Sequence, residues 1–237
     1  MSMIRPFDPT DILRFNNVNS DAWTATYHNG YYASYTAQWP DFCVAVEGAF
    51  DPSIKAYMIA KHEPPAPDPQ HHGHLTALSI APEYRSLGLA RTLMNLLESL
   101  SGSNPRISNH NHIPEDEHDH SNCGGHHDHH PHAHGDEAEV EVDSEGSQEG
   151  NIDGVDAWFV DLFVRCNNKR AIEMYEKMGY SVYRRVVDYY HGMEGIGSTR
   201  DELDGFDMRK SMPKDSTKRY VRFNGKDILV SPDQVWA

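Results

Sequence analysis

The sequence of 237 residues lacks the features that mark secreted and membrane-spanning proteins. Its three cysteines, Cys43, Cys123 and Cys166, have no spacing typical of a disulfide framework. There is no run of 18 apolar residues, so no transmembrane helix is predicted. The first residues, MSMIRPFDPTD, contain no apolar stretch of the kind found in secretory signals. Together these absences favour a reducing compartment, and we expect a cytoplasmic protein that does not bind membranes.

Positive charge is also scarce, with 21 Lys and Arg against 36 Asp and Glu. Residues 106–155 carry a net charge of −12 out of the total of −15, which leaves about −3 for the rest of the chain. Without a basic face, direct DNA binding is not expected. The same segment holds ten of the 16 histidines, and its high charge and low apolar content predict disorder. Its many equivalent histidines favour weak, adventitious metal binding over a defined metal site.

Outside this segment, apolar patterning predicts alternating strands and helices in the order β-α-α-β-β-β-α-β-α-β-β. The stretch AWFVDLFV is almost entirely apolar, which is typical of a strand buried on both faces. The unit from residue 74 to residue 164 is a strand, a helix and this buried strand, so a parallel crossover is expected. In such α/β sheets, ligands bind beyond the carboxyl ends of the strands.

A turn at that end of the predicted sheet has the spacing R-x-x-G-x-A, formed by Arg85, Gly88 and Ala90. It opens a helix with apolar residues at a period of 3.6, and the backbone N–H groups at a helix N-terminus suit a pyrophosphate. The turn lacks the Lys and Ser/Thr of a Walker A loop and the glycines of a dinucleotide fingerprint. On spacing alone, an ordinary strand-to-helix turn is an equal alternative.

Several stretches resemble one family. LRFNNVN, HGHLTALSIAPEYRSLGLA, FVDLFVR, NNKRAIEMYEKMGYSVYR and DMRK are similar, in this order, to the GNAT acetyltransferase superfamily and, within it, to catalytic subunits of the N-terminal acetyltransferase B (NatB) complex. The similarity covers most of residues 3–210. It implies an α/β GNAT fold with a mixed central sheet flanked by helices. The single domain would comprise residues 1–105 and 156–212, interrupted by the disordered insertion 106–155 and followed by a C-terminal tail, 213–237.

The resemblance implies that the anion is the pyrophosphate of acetyl-CoA and that no metal is required. Backbone N–H groups near the end of the strand before the turn would polarise the thioester carbonyl. Asn168, at the start of a helix, is either a ligand of the pantetheine arm or only a helix cap. The cofactor-binding residues implied in this way are Leu78, Ser79, Ile80, Arg85, Ser86, Leu87, Gly88, Leu89, Ala90, Asn168 and Tyr175.

Acetyl transfer to an amine needs a base and a way to release the thiolate. No cysteine has a histidine partner close in sequence, so direct attack in a ternary complex is favoured over a cysteine acyl-enzyme. A histidine suits the base, and the resemblance points to His74, although the neighbouring His71 and His72 make a surface loop histidine the alternative. Spacing alone places Tyr175 in the core, whereas the resemblance places it at the sulfur, where it could protonate the leaving thiolate.

Three tyrosines, Tyr27, Tyr189 and Tyr190, lie in loops that form the peptide groove of the relatives, and each could instead only cover an edge of the core. His74 and Thr76 point to the same side of their strand by period two, beside the second side chain of a bound peptide. The relatives carry an acidic residue at the position of Ala25, so the chain departs from the pattern there.

The function implied is acetylation of nascent chains that begin Met-Asp, Met-Glu, Met-Asn or Met-Gln, in a heterodimer with a large helical-repeat auxiliary subunit that binds the ribosome. Residues 8–40 are the expected contact with this subunit. Two alternatives stay open at this stage. One is a GNAT enzyme that acts on a small amine or a lysine side chain, and the other is a metal-binding protein that uses the histidine-rich segment.

Overall fold

The computed structural model of the protein describes residues 2–19, 23, 26–103, 154–190 and 199–235. The predicted insertion 106–155 lies outside the described residues except for Gly154 and Val155, and Ala25 and Cys123 also lie outside them. Within these ranges, no helix is both long and apolar enough to cross a bilayer.

The centre of the fold is a mixed sheet of eight strands in the order β1-β2-β3-β4-β5-β7-β6-β8. Only the pairs β4–β5 and β6–β8 are parallel. The predicted mixed sheet and the parallel crossover between the fourth and fifth strands are therefore confirmed. The strands are β1 (Ser2–Pro6), β2 (Cys43–Gly48), β3 (Ile54–Glu63), β4 (His72–Ile80), β5 (Phe159–Arg165), β6 (Ser181–Val186), β7 (Gly205–Ser211) and β8 (Leu229–Val230).

Helices cover both faces of this sheet. On one face, a core of Leu, Met and Val side chains from β2–β5 packs against α3 (Leu89–Ser101) and α4 (Lys169–Lys177). On the other face, an aromatic cluster that includes Phe15, Tyr32 and Tyr57 packs beneath α1 (Asn16–Asn19) and α2 (Asn29–Gln38). A fifth short helix, α5 (Arg200–Leu203), precedes β7.

The strands β4 and β5 separate partway along their length. Their pairing runs from His72–Phe159 to Leu75–Leu162 and then ends, although β4 continues to Ile80 and β5 continues to Arg165. The backbone edges beyond Leu75 and Leu162 therefore face an opening rather than each other. This opening lies at the carboxyl ends of the two parallel strands, where α/β sheets bind ligands.

Two local predictions differ from the structure. The first predicted helix is divided into a 3-10 turn, Pro9–Leu13, and the short helix α1, because the chain bends at Phe15 to bury its ring against Tyr32 and Tyr57. The stretch SVYRRVVDYY, rich in β-branched and aromatic residues, favours a strand along its whole length, but β6 ends at Val186.

The segment predicted as a C-terminal tail contributes to the sheet. Leu229 and Val230 form β8 at the edge of the sheet, beside Arg185 and Val186 of β6. This pairing extends the sheet past the boundary expected at residue 212.

Candidate active site

The opening between β4 and β5 is a cleft of about 750 Å³. The end of β4, the turn that follows it, the start of α3, the end of β5 and the first turns of α4 form its walls. The predicted site residues that line it are Tyr27, Thr76, Leu78, Ser79, Ile80, Arg85, Ser86, Gly88, Leu89, Ala90, Asn168, Tyr175 and Tyr190. Leu87, His74 and Tyr189 belong to the predicted set but do not line this cleft.

The β4 wall contains a β-bulge. Consecutive residues Ile59 and Ala60 of β3 pair with Ala77 and Leu75, so Thr76 has no counterpart on β3. A bulge of this kind reorients the backbone and re-aims side chains locally. It lies where the pairing of β4 with β5 ends, so the altered backbone faces the cleft.

One end of the cleft has the properties of an anion site. The helix α3 begins after Gly88, which has a φ of 87° and provides no side-chain cap for the N-terminal N–H groups of the helix. A Cβ atom at Gly88 would meet nothing within 4 Å, so the approach to these N–H groups is open. The side chain of Arg170 on α4 donates a hydrogen bond to Ser86 Oγ across this end, at 2.9 Å. Leu87 instead faces solvent.

The first turns of α4 supply two predicted residues. Asn168 is the N-cap of this helix, and its Oδ1 accepts a hydrogen bond from the N–H of Ala171 at 3.2 Å. The cap role is thus confirmed, and the same residue also lines the cleft. Tyr175 is largely buried, and burial raises the pKa of its phenol above the usual value of about 10. The phenol therefore stays protonated near neutral pH and can donate a proton or a hydrogen bond.

His74 lies next to the cleft, in a buried polar pair. Its Nδ1 is 2.7 Å from Oδ1 of Asp161 on β5, directly opposite in the parallel register. Burial alone raises the pKa of Asp161, but the positive charge that His72 and His74 carry when protonated, the hydrogen bond from His74 and the nearby Arg209 outweigh this effect and lower it. An ionised Asp161 accepts the Nδ1–H of His74, which leaves Nε2 as the nitrogen that can take a proton.

At the opposite end from the helix N-terminus, Tyr27 and Tyr190 line the cleft and Tyr189 lies beside it. The ring of Tyr27 stacks on Tyr31, with centroids 4.4 Å apart, and the ring of Tyr189 stacks on Phe163 of β5 at 4.5 Å. The ring of Tyr190 packs edge-to-face on Tyr189 at 4.9 Å. Burial, followed by the nearby phenol of Tyr27, raises the pKa of Tyr189, so these rings stay neutral at physiological pH.

A chain of hydroxyl groups connects this aromatic end to β4. Tyr31 donates to the hydroxyl oxygen of Tyr35, and the hydroxyl of Thr76 also donates to it, each at 3.1 Å. Both tyrosines lie on α2 and were missed by the sequence analysis. Because Thr76 lines the cleft, the chain brings polar groups of α2 to the cleft wall.

The described cysteines are poor nucleophiles. Burial raises the pKa of the Cys43 thiol to about 11, and burial also raises that of Cys166 to about 12. Both are therefore protonated at neutral pH, whereas the thiolate is the reactive form.

The sequence analysis also missed Asp161, which accepts the hydrogen bond of His74. It missed as well three basic residues that line the cleft, Arg91, Lys169 and Arg170. A signal for Asp161 was present, because it is the one charged residue inside the apolar stretch AWFVDLFV. A carboxylate in a strand buried on both faces requires a partner. That partner, His74, is 87 residues away in the sequence and could not be identified from spacing.

Comparison with known proteins agrees with the fold. Residues 12–118 match the acetyltransferase (GNAT) family model. The chain is 34% identical over 236 residues to the N-terminal acetyltransferase B complex catalytic subunit naa20 of Schizosaccharomyces pombe, with 99% of each chain covered.

Two solved structures are similar over nearly the full length. The crystal structure of Naa20 from Chaetomium thermophilum, in complex with a bisubstrate analogue, is 31% identical with a TM-score of 0.70, covering 99% of this chain and 100% of that one. A chain of the NatB acetyltransferase complex bound to a bisubstrate inhibitor is 26% identical with a TM-score of 0.66, covering 98% of each. The chain therefore belongs to the GNAT acetyltransferases, in the family of N-terminal acetyltransferase B catalytic subunits.

Proposed function

We propose that this enzyme transfers the acetyl group of acetyl-CoA to the α-amine of nascent chains that begin Met-Asp, Met-Glu, Met-Asn or Met-Gln. The observation that carries the proposal is the cleft between β4 and β5, which joins an anion site to a tyrosine-rich end and has a buried histidine–aspartate pair beside it. Relatives named as NatB catalytic subunits support the same assignment.

The anion end suits the pyrophosphate of acetyl-CoA. The N–H groups at the start of α3 and the dipole of this helix bind its negative charge. Arg85 and Arg91 add positive charge beside them, and Arg170 adds it from α4 across the cleft. The backbone of Leu78–Ile80 carries the pantetheine arm along the cleft. The acetyl group then lies near the bulge at Thr76, where N–H groups of β4 polarise the thioester carbonyl.

His74 acts as the general base. Asp161 holds its Nδ1–H, so Nε2 carries the lone pair that accepts the proton of the attacking amine. Because the imidazole is buried beside the cleft and not in its wall, the proton passes through a water molecule. The neutral amine attacks the thioester carbon, the C–S bond breaks, and Tyr175 donates its phenolic proton to the departing thiolate.

The tyrosine-rich end holds the peptide. Tyr27, Tyr189 and Tyr190 enclose the initiator methionine with aromatic faces. The hydroxyl of Thr76 donates to the Tyr35 oxygen, which leaves the O–H of Tyr35 to donate to the oxygen of the second side chain. The imidazole of His74 donates to the same oxygen once its Nε2 has taken a proton. A buried polar site of this kind rejects an apolar residue strongly, because its own donors are then left unpaired.

A large auxiliary subunit, of the kind that forms the NatB complex, covers the surface of residues 8–40 and links the enzyme to cytoplasmic ribosomes. Exposed apolar side chains support the assignment of this surface as a protein contact. Leu13 is 78% exposed and Trp23 is 49% exposed. A shallow pocket between Phe7, Pro9 and Ala37 lies on the same part of the molecule. Exposed apolar groups of this size are typical of protein contacts.

Product mapping tests the reaction. The enzyme, co-purified with its auxiliary subunit, is incubated with acetyl-CoA and a peptide that begins Met-Asp and contains an internal lysine. Fragmentation by mass spectrometry is expected to place the acetyl group on the α-amine, and acetylation of the lysine instead would contradict the proposal. Initial rates at varied concentrations of both substrates are expected to give intersecting double-reciprocal lines, whereas parallel lines would indicate an acyl-enzyme.

A further inference from the structure

Three adjacent strands place six side chains on one face of the sheet, in two rows. Residue pairing across β3, β4 and β5 sets the rows, because side chains of directly opposite residues lie side by side. The first row is Lys61, His74 and Asp161, and the second row is Glu63, His72 and Phe159.

His72 is held with one ring nitrogen unused. Its ring stacks on Phe159, with centroids 4.5 Å apart, and its Nδ1 is 2.6 Å from the carbonyl oxygen of Gln70. Since a carbonyl oxygen can only accept, the proton lies on Nδ1 and the lone pair on Nε2. This Nε2 is buried, has no hydrogen-bond partner among the residues that the structure describes, and lies 3.6 Å from Asp161 Oδ1.

His74 is held in the same tautomer by a different acceptor. Its Nδ1 contacts the carboxylate of Asp161, which again directs the lone pair to Nε2. Imidazoles that bind a metal generally donate their other N–H to a carboxylate or a backbone carbonyl, which sets the ring orientation and raises the basicity of the binding nitrogen. His72 and His74 show one of each arrangement.

Glu63 completes the cluster from β3. Its Oε2 pairs with the ammonium group of Lys61, whereas its Oε1 is buried and has no hydrogen-bond partner within the described ranges. One ligand atom from each of Glu63, His72 and His74 lies within 4.8 Å of the others. Ligand atoms around a tetrahedral zinc ion are ~3.4 Å apart, so side-chain rotations that close the widest gap by about 1.4 Å are sufficient.

We propose that Glu63, His72 and His74 form a binding site for a divalent transition metal of the zinc class, with Asp161 as the outer carboxylate. Two imidazoles and one carboxylate are a ligand set that zinc accepts, and they leave a fourth position open. Asp161 and Glu63 balance the charge of the ion. The ammonium group of Lys61 contacts Oε2 of Glu63, which leaves Oε1 of Glu63 to bind the ion. The site differs from the histidine-rich segment because its three ligands lie at fixed positions on strands, with both imidazoles buried and Glu63 partly buried.

The site has a consequence for catalysis that rests on the proposed function. A metal ion on Nε2 of His74 occupies the lone pair that the general base uses. Micromolar zinc is therefore expected to inhibit acetyl transfer reversibly, with activity restored by a chelator.

Anomalous diffraction from a zinc-soaked crystal of the full chain tests the site without any activity measurement. An anomalous peak is expected at ~2.0–2.2 Å from a carboxylate oxygen of Glu63 and from a ring nitrogen of each imidazole, His72 and His74. Absence of this peak at a zinc concentration that inhibits the enzyme would overturn the proposal, wherever else zinc is bound.

A kinetic test uses Glu63→Gln, which keeps the side-chain shape and lies outside the catalytic machinery. The concentration of zinc that halves activity is expected to rise at least tenfold in this variant, while its activity in chelator stays at the wild-type level. The matched control is His62→Gln, one residue away, whose ring packs against Phe42 and His71 instead. Equal zinc sensitivity of Glu63→Gln and wild type would refute the site and leave the acetyltransferase assignment intact.

Discussion

Replacement of Asp161 by asparagine tests whether this carboxylate fixes the tautomer of His74, the proposed general base. The carboxylate and the His74 imidazole are both buried and 2.7 Å apart, so this is a charge-assisted hydrogen bond shielded from water. Such bonds contribute ~1.5–3 kcal/mol, which corresponds to a loss of about 10- to 150-fold in kcat/KM for the peptide. The amide can also donate to Nδ1, which would place the proton on Nε2 and remove the base.

The assay separates this role from a general loss of stability. The kcat of Asp161→Asn is expected to fall, while the affinity for acetyl-CoA, set at the other end of the cleft, stays unchanged. Two-dimensional NMR of labelled histidine is expected to show His74 protonated on Nδ1 in the wild type and partly on Nε2 in the variant. The control is Asp11→Asn, which breaks a buried pair with Arg5 of β1 and with Arg14. Wild-type kcat and an unchanged tautomer in folded Asp161→Asn would refute the reasoning.

Three further predictions concern the anion site, specificity and the insertion. Gly88→Glu is expected to abolish acetyl-CoA binding, measured by calorimetry. Gly88→Gln has the same backbone strain at a φ of 87° but no charge, so it is expected to retain part of the binding. Equal affinities of the two variants would argue against an anion at this turn. Thr76→Val is expected to reduce the preference for Met-Asp over Met-Leu peptides, because it removes the hydroxyl that contacts Tyr35. An unchanged preference would exclude Thr76 from recognition. Deletion of residues 106–153 with a short Gly/Ser bridge is expected to leave kcat/KM within a few-fold. The N–H of Val155 donates to the Leu100 carbonyl at 3.2 Å, so the two ends of the deleted segment are close enough for a short bridge. A large loss of activity at intact stability would assign the segment a role.

Much of the site could be predicted because its residues follow local rules. The turn with Gly88 opens α3 and Asn168 starts α4, as the sequence indicates, and Gly179 follows the end of α4 with a φ of 92°. The apolar stretch AWFVDLFV is a central strand, parallel to β4 as the crossover rule requires. Once these elements are placed, the turn after β4 and the start of α4 meet at the same cleft.

The remaining features depend on contacts between distant parts of the chain. The bulge at Thr76 follows from the pairing of β4 with β3, and no local pattern indicates it. The docking of the C-terminal segment requires Gly225, where a Cβ atom would lie 1.9 Å from the carbonyl oxygen of Val182. Asp161 was visible as a charge in an apolar strand, but only the sheet shows that it binds His74.

The specificity of acetyl transfer tests the central claim most directly. Peptides that differ only in their first two residues are compared under the same conditions, with the enzyme co-purified with its auxiliary subunit. Peptides beginning Met-Asp, Met-Glu, Met-Asn and Met-Gln are expected to be acetylated on the α-amine far faster than those beginning Met-Leu, Ser or Ala. Equal rates for Met-Leu and Met-Asp peptides would contradict the central claim.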